Sequence, residues 1–206
     1  MPPDTYIAGS KTDKDWQAIR STLVNGNAAA WQTAFNDYFI QRLNLRYLDP
    51  IKVLQENGSY LGEGFSIVAI QCSLIEFLES ITEGITYRYL PGGQTLGQYE
   101  YSSSKNIFVA FLSTRAPFSN TFNTNAALDF YVNVRCGLLH EARTKNGWKI
   151  WADSPNGTIA DVNNRIVYRN NFQQAILVYI TSYGTLIQSD NTLQEAFIRK
   201  FDSLCV

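Results

Sequence analysis

From Trp31 onward, apolar residues recur at three- and four-residue steps: Trp31, Ala34, Phe35, Tyr38, Phe39 and Leu43, with Arg42 among them. That is the period of one face of a helix, and it predicts a helix running to about Arg46. Asp49 followed by Pro50 predicts a fresh helix start, with the aspartate as cap and the proline at the first position. In "GEGFSIVAIQCSLIEFLESITEG", Phe65, Val68, Leu74, Ile75, Phe77, Leu78 and Ile81 cover most of a helix circumference. This predicts the central, most buried helix, with a polar strip of Ser73, Glu76, Ser80 and Glu83. "YLPGGQTLGQYEYSSS" reads as a loop, and "KNIFVAFLSTRAPF" as a short apolar helix stopped before Pro117.

"NAALDFYVNVRCGLLHEA" is again helical, with Ala127, Tyr131, Val134 and Leu138 on one face. The period then changes. "GWKIWADS", a turn at "PNG" and "TIADVNNRIVYRN" predict two or three short strands, most simply a hairpin. "NFQQAILVYITSYGTLIQ" and "NTLQEAFIRKFDSLC" return to helical spacing, with Asn171 and Asp190 or Asn191 as caps. A short helix after Asp13 lies in residues 1–30, which are expected to pack loosely. The sum is a mainly α chain: one domain over residues 1–206, a bundle of four to five helices with a small β-hairpin inserted late.

Composition narrows the classes. At 206 residues with 45% apolar and 17% charged residues, 12 Phe, 12 Tyr and 4 Trp, the chain has ample material for a packed core. Cys72, Cys136 and Cys205 are odd in number and widely spaced, and only one histidine accompanies them. Neither a disulfide framework nor a metal site is expected, and no cofactor is implied. The N-terminal residues lack the basic start and apolar run of a signal peptide, and no segment offers ~20 uninterrupted apolar residues. A cytoplasmic protein without a membrane partner is the expectation. Net charge is −1, which argues against a globally basic nucleic-acid binder. Between Asn133 and Asn171, however, six basic residues face three acidic ones.

That basic window contains the single histidine, His140, five residues after Arg135 at the end of a late helix. An arginine, four intervening residues and a histidine, so placed, resemble the motif of the HEPN superfamily (higher eukaryotes and prokaryotes nucleotide-binding domain). "SLIEFLES", with Glu76, resembles HEPN families that carry an acid in the earlier helix. "GLLHEARTKNGWKI", a helix end running into a hairpin, resembles bacterial HEPN-like conserved hypothetical proteins. The resemblance spans roughly residues 62–186.

It implies a metal-independent endoribonuclease acting as a toxin or phage-defence effector. In the reaction so implied the ribose 2′-hydroxyl loses its proton and attacks the adjacent phosphate, the P–O5′ bond breaks with the leaving 5′-oxygen protonated, and a 2′,3′-cyclic phosphate remains. The imidazole of His140 suits proton transfer, and Arg135 suits clamping the phosphorane oxygens with its planar fork. The partners implied are RNA or a nucleotide, a protein antitoxin, and a second copy of the chain, since two proton transfers need more than one imidazole. Five helical residues leave Arg135 and His140 roughly 140° apart. Their convergence requires the helix to loosen near Gly137, or the site to straddle a twofold axis. Asp129, Asn133, Cys136 and His140 follow steps of four, three and four and form a polar stripe expected to line the cleft. Arg143 and Lys145 stand at its rim as phosphate contacts. Many nuclease members carry Asn, Asp or His directly after the arginine, where this chain has Cys136. That keeps a second reading: a non-catalytic HEPN-like module binding nucleotide, RNA or a protein partner.

Overall fold

The computed structural model describes residues 5–24, 26–59 and 61–205. The chain is mainly helical, 61% by residue, with a few small sheets. Helix α1 (Asp13–Arg20) starts at Thr12, whose hydroxyl accepts the Asp15 N–H while the Asp15 carboxylate accepts the Thr12 N–H. Helix α2 fills residues 28–57 without a break. Asp49 therefore does not start a new helix: its own φ and ψ are helical, and Pro50 sits inside α2. A proline there removes one N–H and crowds the carbonyl four residues back. The helix absorbs this with a wide turn at Asn44–Leu48, where the Asp49 N–H reaches back five residues to the Asn44 carbonyl.

Helix α3 (Glu63–Glu83) is the expected central helix, with Ile67, Val68, Cys72, Leu74, Ile75, Leu78 and Ile81 fully buried. Phe65, expected in the core, is 41% exposed in the first turn. By length and composition α3 could cross a membrane, but its apolar arc forms core here. Helices α4 (Ser104–Thr114), α5 (residues 124–141), α6 (Arg169–Leu186) and α7 (Asn191–Asp202) complete the helical set.

Short ladders join Tyr6–Ala8 (β1) to Lys11–Thr12 (β2), and Thr86–Tyr87 (β3) to Glu100–Tyr101 (β4). The second pair lies in and beside the stretch expected to be loop. After α5 comes a three-stranded sheet of Lys149–Trp151 (β5), Ala160–Asp161 (β6) and Ile166–Tyr168 (β7), ordered β5-β7-β6. The expected hairpin is present only as β6–β7, whose turn is held by Asp161 accepting from Asn164. β5 pairs with β7 in parallel. A parallel pair needs a crossover. Here residues 152–159, folded around the Ser154 hydroxyl, carry the chain to the far edge before β7 enters between.

The chain divides into two compact units: the described residues of Met1–Pro50, Ser80–Ser102 and Ser182–Val206, and those of Ile51–Glu79 and Ser103–Thr181. Each has an aromatic core. In the first, Trp16, Trp31, Tyr38, Phe39, Phe197 and Phe201 stack and cross at centroid separations of 4.6 to 6.3 Å. Within residues 1–30, expected to pack loosely, the part around Trp16 is thus anchored in the core. Trp16 is fully buried and its indole N–H reaches Asp202 at 2.8 Å, because an aromatic of that size gains more by burial than the short α1 could gain alone. In the second unit, Phe108, Phe111, Phe118, Phe122, Phe130, Phe172 and Trp148 form the equivalent cluster.

Candidate functional site

Helix α5 carries the motif residues, and its local geometry follows from its sequence. Asn123 caps it by accepting the Ala126 N–H. Ala127, Phe130, Val134 and Leu138 face the core, so Phe130 and not Tyr131 occupies the second apolar position. At Tyr131–Arg135 the helix widens, and the Cys136 N–H reaches the Tyr131 carbonyl five residues back. The helix ends in a left-handed residue, Ala142 (φ 52°), whose N–H bonds the Gly137 carbonyl. The chain then doubles back: Arg143 N–H reaches Gly137 at 3.3 Å and Lys145 N–H reaches the Asn133 carbonyl at 2.8 Å. A side chain at 137 would collide with the Arg143 carbonyl, which explains the glycine. The helix is therefore loosened before Arg135 and not near Gly137.

Arg135 turns toward α3. Its Nε donates to one oxygen of Glu76, Oε1, at 2.8 Å, its Nη2 lies 2.7 Å from the same oxygen in an ion pair, and its guanidinium lies 5.3 Å from the centre of the Tyr131 ring. Both partners are mostly enclosed, with side-chain exposures of 15% and 17%. Burial opposes the arginine's charge, but the Glu76 charge and hydrogen bonds outweigh it and hold the guanidinium above its ordinary pKa. Burial pushes the Tyr131 phenol up to about 12 against the pull of Arg135, with Cys136 adding to the rise. Cys72, one turn before Glu76, is fully buried, and burial raises its thiol. Glu76, Tyr131, Arg135, Cys136 and Cys72 thus form one polar and sulfur-bearing cluster between α3 and α5.

His140 is not part of it. The imidazole is exposed, and among the described residues no hydrogen bond or ion pair holds it. On the same exposed side of α5 lie Leu128, Val132 and Leu139, 40 to 51% exposed. The polar stripe also divides. Asp129 accepts from Asn133 Nδ2 and from the indole N–H of Trp148, both at 2.8 Å, and Asn133 is 5% exposed. These two tie α5 to the returning chain and line no open cleft together with His140, because a buried amide and indole must be satisfied internally. Cys136 is half-buried. Arg143 and Lys145 both bind Glu141, so their charge is answered locally.

Sequence reasoning missed the ion pair beneath this cluster. Arg115 donates from Nε and Nη2 to the two oxygens of Glu79, at 2.9 and 3.1 Å. The signal was present, since Glu79 falls at helical steps from Val68, Cys72 and Ile75, inside the apolar arc, where a charge requires a partner. Trp148 as the hydrogen-bond partner of Asp129 carries no local signal at a separation of 19 residues. Among the described residues no group of three or more metal-ligating side chains converges. Comparison of this chain with protein-family models, curated proteins and solved structures finds no match.

Proposed function

We propose that the chain is a HEPN-type, metal-independent endoribonuclease whose site forms when α5 helices of two copies meet. The observation that carries this reading is the contact of Glu76 with Arg135: the acid expected from the earlier helix meets the motif arginine, while His140 stays exposed and unbonded. Within one chain Arg135 and His140 do not converge. A twofold arrangement across the exposed side of α5 would bury Leu128, Val132 and Leu139 and bring the imidazole of one copy toward the other. In that arrangement His140 moves the protons and Arg135 stabilises the charge that develops on phosphorus oxygens. A toxin or phage-defence role, with a protein antitoxin, belongs to the same proposal, as does a cytoplasmic setting.

One observation favours the second reading, a non-catalytic HEPN-like module binding nucleotide, RNA or a protein: both engaged nitrogens of Arg135 are held by a single acid. Incubating the purified chain with RNA in EDTA and typing the product ends decides between them. The nuclease reading expects 2′,3′-cyclic phosphate ends and a loss of ~10²–10⁴-fold in His140→Ala. It expects comparable loss in Arg135→Ala and poor rescue by Arg135→Lys. Equal cleavage by wild type and both variants would remove the assignment. No cleavage, with nucleotide or RNA binding weakened by Arg135→Ala, selects the module.

A further inference from the structure

A cavity of about 480 Å³ opens beside the three-stranded sheet, within the roughly 300–1,000 Å³ of small-molecule sites. It is lined by the chain leading into α5 (Thr121, Asn123), by the crossover after β5 (Asn156), and by β6, its turn and β7 (Asp161, Asn163, Tyr168). Tyr168 is the informative member. The residue is 5% exposed and its ring contacts Trp151, yet among the described residues its hydroxyl has no hydrogen-bond partner. A phenol in so enclosed a side chain normally finds one. The hydroxyl is not sealed inside protein, and the cavity is the open space that the residue lines.

The other lining groups are fixed in place with capacity to spare. Asn123 gives its Oδ1 to the Ala126 N–H, and Asn156 gives its Oδ1 to the Ser154 and Thr158 hydroxyls, so both Nδ2 groups are uncommitted among the described residues. The Thr121 hydroxyl and the Asn163 side-chain amide are uncommitted as well. The crossover carrying Asn156 is pinned, because the Ser154 N–H donates to Asn171 at 2.8 Å and the Ser154 hydroxyl accepts the N–H groups of Asn156 and Thr158. Groups held this way lose little freedom when a ligand arrives. Asp161 is the one charged residue lining the cavity. The side-chain and backbone N–H groups of Asn164 donate to its two oxygens and hold its carboxyl below the ordinary range, so it is ionised at neutral pH. The groove that continues past Asn123 and Asn163 adds Asp129 and Arg165, whose charges are opposite.

We propose that this cavity binds a neutral saccharide, whose hydroxyls hydrogen-bond to Tyr168, Thr121, Asp161 and the amides of Asn123, Asn156 and Asn163. A phosphate-bearing ligand would meet a carboxylate and no cation among the lining residues, and an apolar one would take water from the amides without replacing its hydrogen bonds. Sugar hydroxyls donate and accept at once, which matches amides, hydroxyls and a carboxylate around one space. A peptide offers one donor and one acceptor per residue, spread roughly 3.3 Å apart along a line, against the several that neighbouring hydroxyls bring together. The proposal goes beyond cleavage, because it uses neither Arg135 nor His140.

The test is saturation-transfer NMR of the full chain with maltose, cellobiose and N,N′-diacetylchitobiose, each titrated to a dissociation constant. Saturable binding of at least one probe is expected, and it should not change with added salt, because no ion pair forms. Tyr168→Phe removes only the hydroxyl, Asn163→Ala removes an exposed amide, and Asn123→Ser removes the amide donors while keeping an acceptor to cap α5. Each should weaken binding roughly two- to tenfold, the effect of one hydrogen bond. Tyr168→Phe keeps the ring in the core and Asn163→Ala touches only surface, so weaker binding there is not a folding defect. No saturable binding of any probe, or wild-type affinity in all three variants, would overturn the proposal. Tighter binding of N-acetyl-trialanine amide with the same dependence on the three residues would overturn it in favour of a peptide.

Discussion

Helix α3 places two glutamates three residues apart, and each meets an arginine from a different part of the chain. Glu79 and Arg115 form a closed pair: both carboxylate oxygens and two guanidinium nitrogens are matched, and the glutamate side chain is 4% exposed. Glu76 and Arg135 form an open one. A single oxygen faces both nitrogens, so among the described residues Oε2 of Glu76 and Nη1 of Arg135 stay uncommitted, under 17% and 15% exposure. Two pairs of the same chemistry on one helix therefore differ in what they have left to offer. In the closed fork both carboxylate oxygens are matched, whereas the open one leaves a carboxylate oxygen unmatched beside the guanidinium.

Breaking the closed pair should have the largest effect. Arg115→Ala leaves Glu79 buried without its cation, which typically destabilises by about 3–5 kcal/mol. Urea denaturation reads this directly, and Arg115→Lys should recover only part, because one ammonium cannot match two oxygens. Arg135→Ala should cost about 1–3 kcal/mol, since Glu76 keeps some access to water. If Arg135→Ala proves as damaging as Arg115→Ala, the distinction between open and closed pairs fails.

Much of this arrangement could be read in advance. The helical stripes at Trp31–Leu43, along α3 and along α5 follow from apolar spacing, because burial of one face dominates the energetics of a helix. What could not be read was set by distant partners. The parallel pairing of β5 with β7 depends on how residues 152–159 fold, and Trp16 became core only because Phe197 and Phe201 arrive from the other end of the chain. At the site, Glu76 and Arg135, both singled out from the sequence, lie in contact, but spacing suggested that Asn133 and His140 share a cleft. A one-residue widening at Tyr131–Arg135 and the indole of Trp148 assign Asn133 to the interior instead.

Glu76→Gln sharpens the comparison with a smaller change. The amide keeps the shape and one acceptor but removes the charge, so stability should fall by only about 1 kcal/mol. Arg135 is then no longer neutralised. Binding of an anionic oligonucleotide at this site should tighten, measurable by titration with and without the Arg135→Ala background. Unchanged affinity in Glu76→Gln would show that the spare donor is not a binding group.

The smallest effect on folding is expected at the residue to which the proposed reaction assigns the proton transfers. His140 is exposed and unbonded, so His140→Ala should change stability by less than about 0.5 kcal/mol. Loss of ~10²–10⁴-fold in RNA cleavage beside that neutrality would separate a chemical role from a structural one, which Arg135→Ala cannot do because it disturbs Glu76 as well. The measurement should be made at several protein concentrations. In a twofold assembly across α5, any stability change from His140→Ala belongs to the interface and scales with concentration. A concentration-independent loss well above 0.5 kcal/mol would mean that the imidazole supports the fold of its own chain, and the case for its catalytic exposure would end there.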